Sequence, residues 1–140
     1  MTSSADRWAC DTSVAVAALD PNHEAHAVCR RALIEWRPAL AGHAAFEAHA
    51  VLTRLPLPLR LRPEQASQVL ARAFPEPCWL DASATAELWS RLGELGLTGG
   101  ATYDALVAAA ARADGRRLLT RDRRAERTYR AIEVDYQFVE

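Results

Sequence analysis

The chain alternates between short apolar runs and longer stretches of helical pattern, and few architectures can accommodate that order. The runs at 7–11 (RWACD), 38–42 (PALAG), 77–80 (PCWL), 116–120 (RRLLT) and 131–135 (AIEVD) read as short strands. Between them, helices are predicted over 12–20, from Asp20 and Pro21 to about Trp36, and over 43–55, 62–74, 84–95, 101–114 and 122–130. The punctuation is consistent with this. Asp20 followed by Pro21 is a cap with proline at the first helical position. Pro56 and Pro58 stop the third helix, Asp81 or Ser83 caps the fifth, and Gly96 and Gly115 suit helix exits. Strands separated by helices argue for an α/β domain with a parallel sheet. The expected fold class is α/β, with about five short parallel strands and helices on both faces.

A chain of 140 residues suits a single domain, 1–140, able to bury a core. No apolar run approaches the roughly 20 residues of a membrane span. The N-terminal MTSSADRW lacks the basic-then-apolar pattern of a signal peptide. The expectation is a soluble cytoplasmic protein with no membrane partner. Cys10, Cys29 and Cys78 are odd in number and lack metal or redox spacing, so they are read as reduced and buried. His23, His26, His43 and His49 form no HExxH pattern, and His23 and His26 are read as part of a solvated helix face. The net charge of −1 excludes a uniformly basic nucleic-acid binder. The distribution is less even: there is no lysine, and seven of the 17 arginines fall between Arg116 and Arg130 against only Asp122 and Glu126. Guanidinium forks suit phosphates, and they equally decorate an exposed helix.

Four acids stand where strands end or helices begin. Asp11 closes the first apolar run, Glu47 lies in the first turns of the third helix, Asp104 opens the long alanine-rich helix, and Asp122 follows Leu119 and Thr120 by a short step. Singly, Asp11 and Asp122 are ordinary helix caps, and Glu47 and Asp104 ordinary partners of a helix dipole. Together they differ, because in open parallel sheets the carboxyl ends of the strands share one edge. Two unit charges 4 Å apart repel by roughly 4 kcal/mol at an effective dielectric near 20. Four carboxylates on one edge therefore call for cations or raised pKa values, and an oxygen-only donor set suits magnesium or manganese. Thr12, Ser13 and Thr120 lie beside these acids, where hydroxyls orient carboxylates or serve as plain cap and turn residues.

The segments CDTSVAVAAL (10–19), HAAFEAHAVLTRLP (43–56), YDALVAAAARADGRRLLTRD (103–122) and the closing IEV resemble the PIN domain, in the form of VapC-type toxins of bacterial toxin–antitoxin pairs. The resemblance covers nearly the whole chain and implies a three-layer PIN-like fold and a metal-dependent endoribonuclease. It implies that Asp11 and Asp104 carry Mg2+ or Mn2+, and that Glu47 and Asp122 complete a four-carboxylate catalytic pocket. It further implies an RNA substrate, a cognate VapB-type antitoxin and a homodimer. MTSSADR is then a short extension. The apolar LPLPLRL stretch (55–61) either packs within the domain or is covered by the antitoxin.

Rival chemistries fare worse. A haloacid-dehalogenase-type aspartyl phosphotransferase needs a second acid two residues after the first, and that position is Ser13. A dinucleotide-binding domain needs GxGxxG after the first strand, and none follows. A catalytically silent module that binds RNA or an antitoxin without cleavage is the remaining alternative.

Overall fold

The computed structural model describes residues 7–140, so MTSSAD, nearly all of the expected N-terminal extension, lies outside the described residues. The elements run β1 (Trp8–Cys10), α1 (Thr12–Leu19), α2 (His26–Trp36), β2 (Ala39–Leu40), α3 (Ala44–Leu52), α4 (Pro63–Ala73), α5 (Ala82–Arg91), α6 (Ala101–Ala113), β3 (Arg117–Thr120), α7 (Glu126–Ile132) and β4 (Tyr136–Phe138). The strands form one sheet in the order β2-β1-β3-β4, and every pair is parallel. The α/β class is as expected, with four strands rather than five among the described residues. The ladder continues one residue beyond the strands at their carboxyl ends. Asp11 N–H donates to the Leu119 carbonyl (3.1 Å), Ala41 N–H to that of Cys10 (3.1 Å) and Val139 N–H to that of Thr120 (2.9 Å).

Three expected elements differ. Residues 77–80 form no strand. Pro75 and Pro77 remove two backbone donors at its entry, and the Cys78 carbonyl accepts a single bond, from Gly42 N–H at 2.8 Å. The last strand begins at Tyr136 rather than within 131–135, because Ile132 still belongs to α7. Ala125, Tyr129 and Ile132 are spaced four and three apart, so they share one buried helical stripe. Glu133, at φ 63°, then ends the helix. The second helix starts at His26, not at Pro21. Asp20 accepts the Asn22 N–H (3.0 Å) and His23 Nδ1 accepts the Ala25 N–H (3.0 Å), and these local bonds hold the segment in turns.

The core is built from Val14, Val107, Leu118, Leu119 and Tyr129, all fully buried, with many alanines between them. Those of α6 (Ala105, Ala108, Ala110 and Ala111) let the helix sit close to its neighbours. Gly42, ahead of α3, marks the tightest approach. Its φ is +49°, and a methyl group built on it would stand 2.9 Å from Ala110 Cβ. Both the conformation and the space exclude a side chain, so Gly42→Ala is expected to cost about 1–3 kcal/mol. An unchanged urea midpoint would refute this. The three cysteines are buried and unbridged, as expected. Among the described residues no helix is long and apolar enough to cross a membrane.

Candidate active site

Asp11 follows β1 directly, and its carboxylate caps α1 by accepting the Val14 N–H. The residue is 4% exposed. Oδ1 accepts from Ser13 Oγ (2.6 Å) and from Val14 N (3.3 Å). Oδ2 accepts from Thr120 Oγ1 (2.5 Å) and from the Tyr129 hydroxyl (2.7 Å). Two of these hydroxyls are oriented from behind. Ser13 Oγ accepts the Arg121 N–H (2.8 Å) and Thr120 Oγ1 accepts the Asp122 N–H (3.0 Å), so each turns its own proton toward Asp11. Four donors thus occupy the roughly four lone-pair positions of one carboxylate. Burial pushes the Asp11 carboxyl above its ordinary range, while these hydrogen bonds pull the other way.

The remaining acids come from three other elements. Glu47 sits in the first turn of α3, and its Oε1 accepts from Thr12 Oγ1 at 3.1 Å. Asp122 follows β3 and caps a short 3-10 turn, Arg123–Ala125. Its Oδ1 accepts from Arg124 N (3.0 Å) and from Arg124 Nε (3.3 Å). Asp104, in the first turn of α6, has its carboxyl pushed up to about 6. Burial is the main cause, followed by the negative charges of Asp122, Glu47 and Asp11, with Arg124 opposing. Three carboxylates on separate elements therefore act on the fourth.

All seven residues singled out in the sequence enter this constellation. Asp11, Ser13 and Thr120 share one hydrogen-bond network, Thr12 ties to Glu47, and Asp104 and Asp122 join through charge. A cleft of about 380 Å3 borders it, lined in part by Thr12, Ser13, His23, Arg121, Asp122 and Arg124. The cleft does not reach Asp11, Glu47 or Asp104. His23 and His26 do not sit on a solvated helix face: His23 holds the turn described above, and the His26 ring bonds the Ala17 carbonyl at 3.0 Å. Most of the arginine cluster is engaged within the chain. Buried Arg116 pairs with Glu76 and Asp114, each at 2.6 Å. Arg117 lies over the Trp8 ring, Arg121 donates to the Val139 carbonyl, and Arg130 pairs with Glu126. The Arg124 side chain stays 93% exposed beside Asp122.

The sequence reading missed Tyr129. It is 1% exposed, and burial together with the Asp11 charge raises its hydroxyl pKa. One trace was visible: a tyrosine on the apolar stripe of an arginine-rich helix must find a partner for its hydroxyl when buried. That the partner is Asp11, 118 residues away, was not visible. Among the described residues no three histidine, cysteine or acidic side chains converge into a cage that alone would hold a metal ion. The oxygen-only donors still match a hard cation. Magnesium commonly takes one or two carboxylates and completes its octahedron with water and substrate phosphate.

Comparison with known proteins agrees with this geometry. The PIN domain profile matches residues 9–131. Ribonuclease VapC27 of Mycobacterium tuberculosis (strain ATCC 25618 / H37Rv) is 45% identical over 130 residues, 90% of this chain and 92% of that protein. Ribonuclease VapC40 of Mycobacterium tuberculosis (strain CDC 1551 / Oshkosh) is 45% identical over 130 residues, 92% of this chain and 96% of that protein. With the carboxyl-edge acids and the parallel sheet already in place, the chain belongs to the PIN-domain family, in its VapC-type branch.

Proposed function

We propose that this chain is a divalent-metal-dependent endoribonuclease, the toxin of a toxin–antitoxin pair, in which residues 1–140 form a single PIN domain acting in the cytoplasm. The observation that carries this reading is that Asp11, Glu47, Asp104 and Asp122 come from four separate elements, near enough for the charges of the other three, together with burial, to raise the pKa of the Asp104 carboxyl. Such a concentration of negative charge is costly in a protein that has no cation to place there. The name ribonuclease carried by the relatives supports RNA as substrate; a VapB-type antitoxin and a homodimer are expected from membership of the VapC-type branch.

Asp11 and Asp104 would hold Mg2+ or Mn2+, with Glu47 and Asp122 completing the pocket. The bound ion supplies positive charge opposite the scissile phosphate and lowers the pKa of nearby water. Glu47, steadied by Thr12, or Asp122, steadied by Arg124, would orient and deprotonate the attacking water, whose oxygen bonds phosphorus as the P–O bond to the departing nucleoside oxygen breaks and that oxygen takes a proton from solvent. Ser13, Thr120 and Tyr129 hold Asp11 in one rotamer, in which it would face the ion. Arg124 neutralises a neighbouring phosphate, so binding weakens as salt rises.

One observation favours a silent binding module: Asp11 already gives its acceptor positions to protein donors. Cellular RNA incubated with antitoxin-free protein separates the two readings. Discrete new 5′ ends are expected with magnesium or manganese, absent in EDTA and absent in Asp11→Asn. Undiminished RNA binding in EDTA, with no cleavage after metal is restored, would establish the silent module instead.

A further inference from the structure

Large apolar side chains exposed on the described surface are few, and three of the six stand in one row: Tyr103 (48% exposed), Phe46 (65%) and Trp79 (57%). The row is continuous. The Tyr103 ring stacks on the His43 imidazole with centroids 4.7 Å apart and planes 17° apart. His43 lies 6.3 Å from Phe46 at 27°, and Phe46 meets Trp79 edge-on at 5.9 Å. Its inner end is fixed to the carboxylates by the chain itself. Tyr103 immediately precedes Asp104, Phe46 immediately precedes Glu47, and His43 lies one turn before Glu47, on the same side of α3.

We propose that this row is a stacking platform for the unpaired bases of a single-stranded RNA whose scissile phosphate sits among the four carboxylates. The proposal rests on the nuclease reading above. The His43–Tyr103 stack joins the start of α3, which carries Glu47, to the start of α6, which carries Asp104, so nucleosides adjoining a phosphate held there would lie beside the row. Exposed aromatic faces accept any base, because every base has a π face. A duplex cannot use them, since its bases are already stacked on one another. The charge layout agrees. The cleft lined by Arg121 and Arg124 includes Asp122 and shares no residue with the row, which adjoins Glu47 and Asp104 in sequence, so backbone phosphates and bases would find separate surfaces on two sides of the acidic group. An apolar groove beside Phe46 and Trp79, reaching Ala45 and Leu70, would suit a second copy of the chain, and the experiment includes that outcome.

The test compares a fluorescent single-stranded adenosine oligonucleotide with an abasic ribose-phosphate strand of equal length, titrated with the full chain in magnesium. The wild-type protein is expected to prefer the base-bearing strand by about tenfold or more. Tyr103→Ala and Phe46→Ala should each erode that preference, whereas Tyr103→Phe and Phe46→Trp, which keep a ring, should retain it. Cleavage of cellular RNA and particle mass by light scattering are measured alongside. A wild-type protein that cuts cellular RNA but ignores the bases overturns the platform and leaves the nuclease reading intact. A protein that neither binds nor cuts RNA overturns both. If Phe46→Ala or Trp79→Ala changes the particle mass while the base preference survives, the row is a contact between copies and the proposal is wrong.

Discussion

Asp104→Asn is expected to yield a protein that no longer cleaves RNA, yet is more stable than the parent at neutral pH when no metal is bound. Asp104 is the carboxyl that the other three acids act upon, and its folded pKa of about 6 lies above the ordinary aspartate value of 3.8. The sign follows from proton linkage. Below the unfolded pKa both states hold the proton and nothing is lost. As pH rises through the window, the unfolded state releases its proton first and is favoured, so folding stability falls and the full penalty remains above about 6. About two pKa units correspond to roughly 3 kcal/mol, and solvent screening of this half-buried group reduces that to about 1–2 kcal/mol. Asparagine has no charge to desolvate and escapes the penalty. Thermal unfolding in EDTA across this window should show the variant gaining on the parent as pH rises. Added magnesium should narrow the gap by stabilising only the parent. A variant less stable than the parent at neutral pH in EDTA would contradict the charge argument. The loss of cleavage should exceed the roughly 10–100-fold typical of residues that only support a metal ligand.

Tyr129→Phe gives the second large effect, and it isolates one hydroxyl. The ring stays in the core, while Asp11 Oδ2 loses one of its two donors. A hydrogen bond to a charged group contributes roughly 1.5–3 kcal/mol, so stability falls by about that amount. The more specific consequence concerns function. A carboxylate held by Ser13 and Val14 on one oxygen and by Thr120 alone on the other can swing, and metal affinity should drop roughly 10–100-fold with activity. Calorimetric titration of Mn2+ into parent and variant reads this directly. If the two titrations superimpose, Tyr129 fills space and does not position Asp11.

The parts of the fold that were legible share a local cause. The strand at Trp8–Cys10 is followed at once by Asp11, α6 is an alanine-rich run followed closely by Gly115, and Asp122 follows the Leu118–Leu119 pair. In each case the information lies within a few residues. What was not legible depended on partners elsewhere. The Ile and Val of 131–135 have strand propensity, but Ile132 is claimed by the core stripe it shares with Ala125 and Tyr129, so the strand moves on to Tyr136–Phe138. The apolar run 77–80 lacks donors at its entry and makes one backbone bond to another segment, from Gly42. At the site, the four acids and their hydroxyl neighbours were marked by position alone. Tyr129 was not, because a helix stripe shows that a residue faces inward without showing what it meets. The arginine count likewise overstated the basic surface, since Arg116 and Arg130 bind acids within the chain.

The continuation of the ladder past β1 also sets a timescale. The Asp11 amide bonds Leu119 across the central strand pair, so its hydrogen exchanges only when the sheet itself opens. The Arg124 amide bonds the exposed side of Asp122 and exchanges through small local fluctuations. One carboxylate edge therefore carries both a slow and a fast clock. Opening around Asp122 is expected on the fast one, and release of Asp11 from the sheet edge on the slow one.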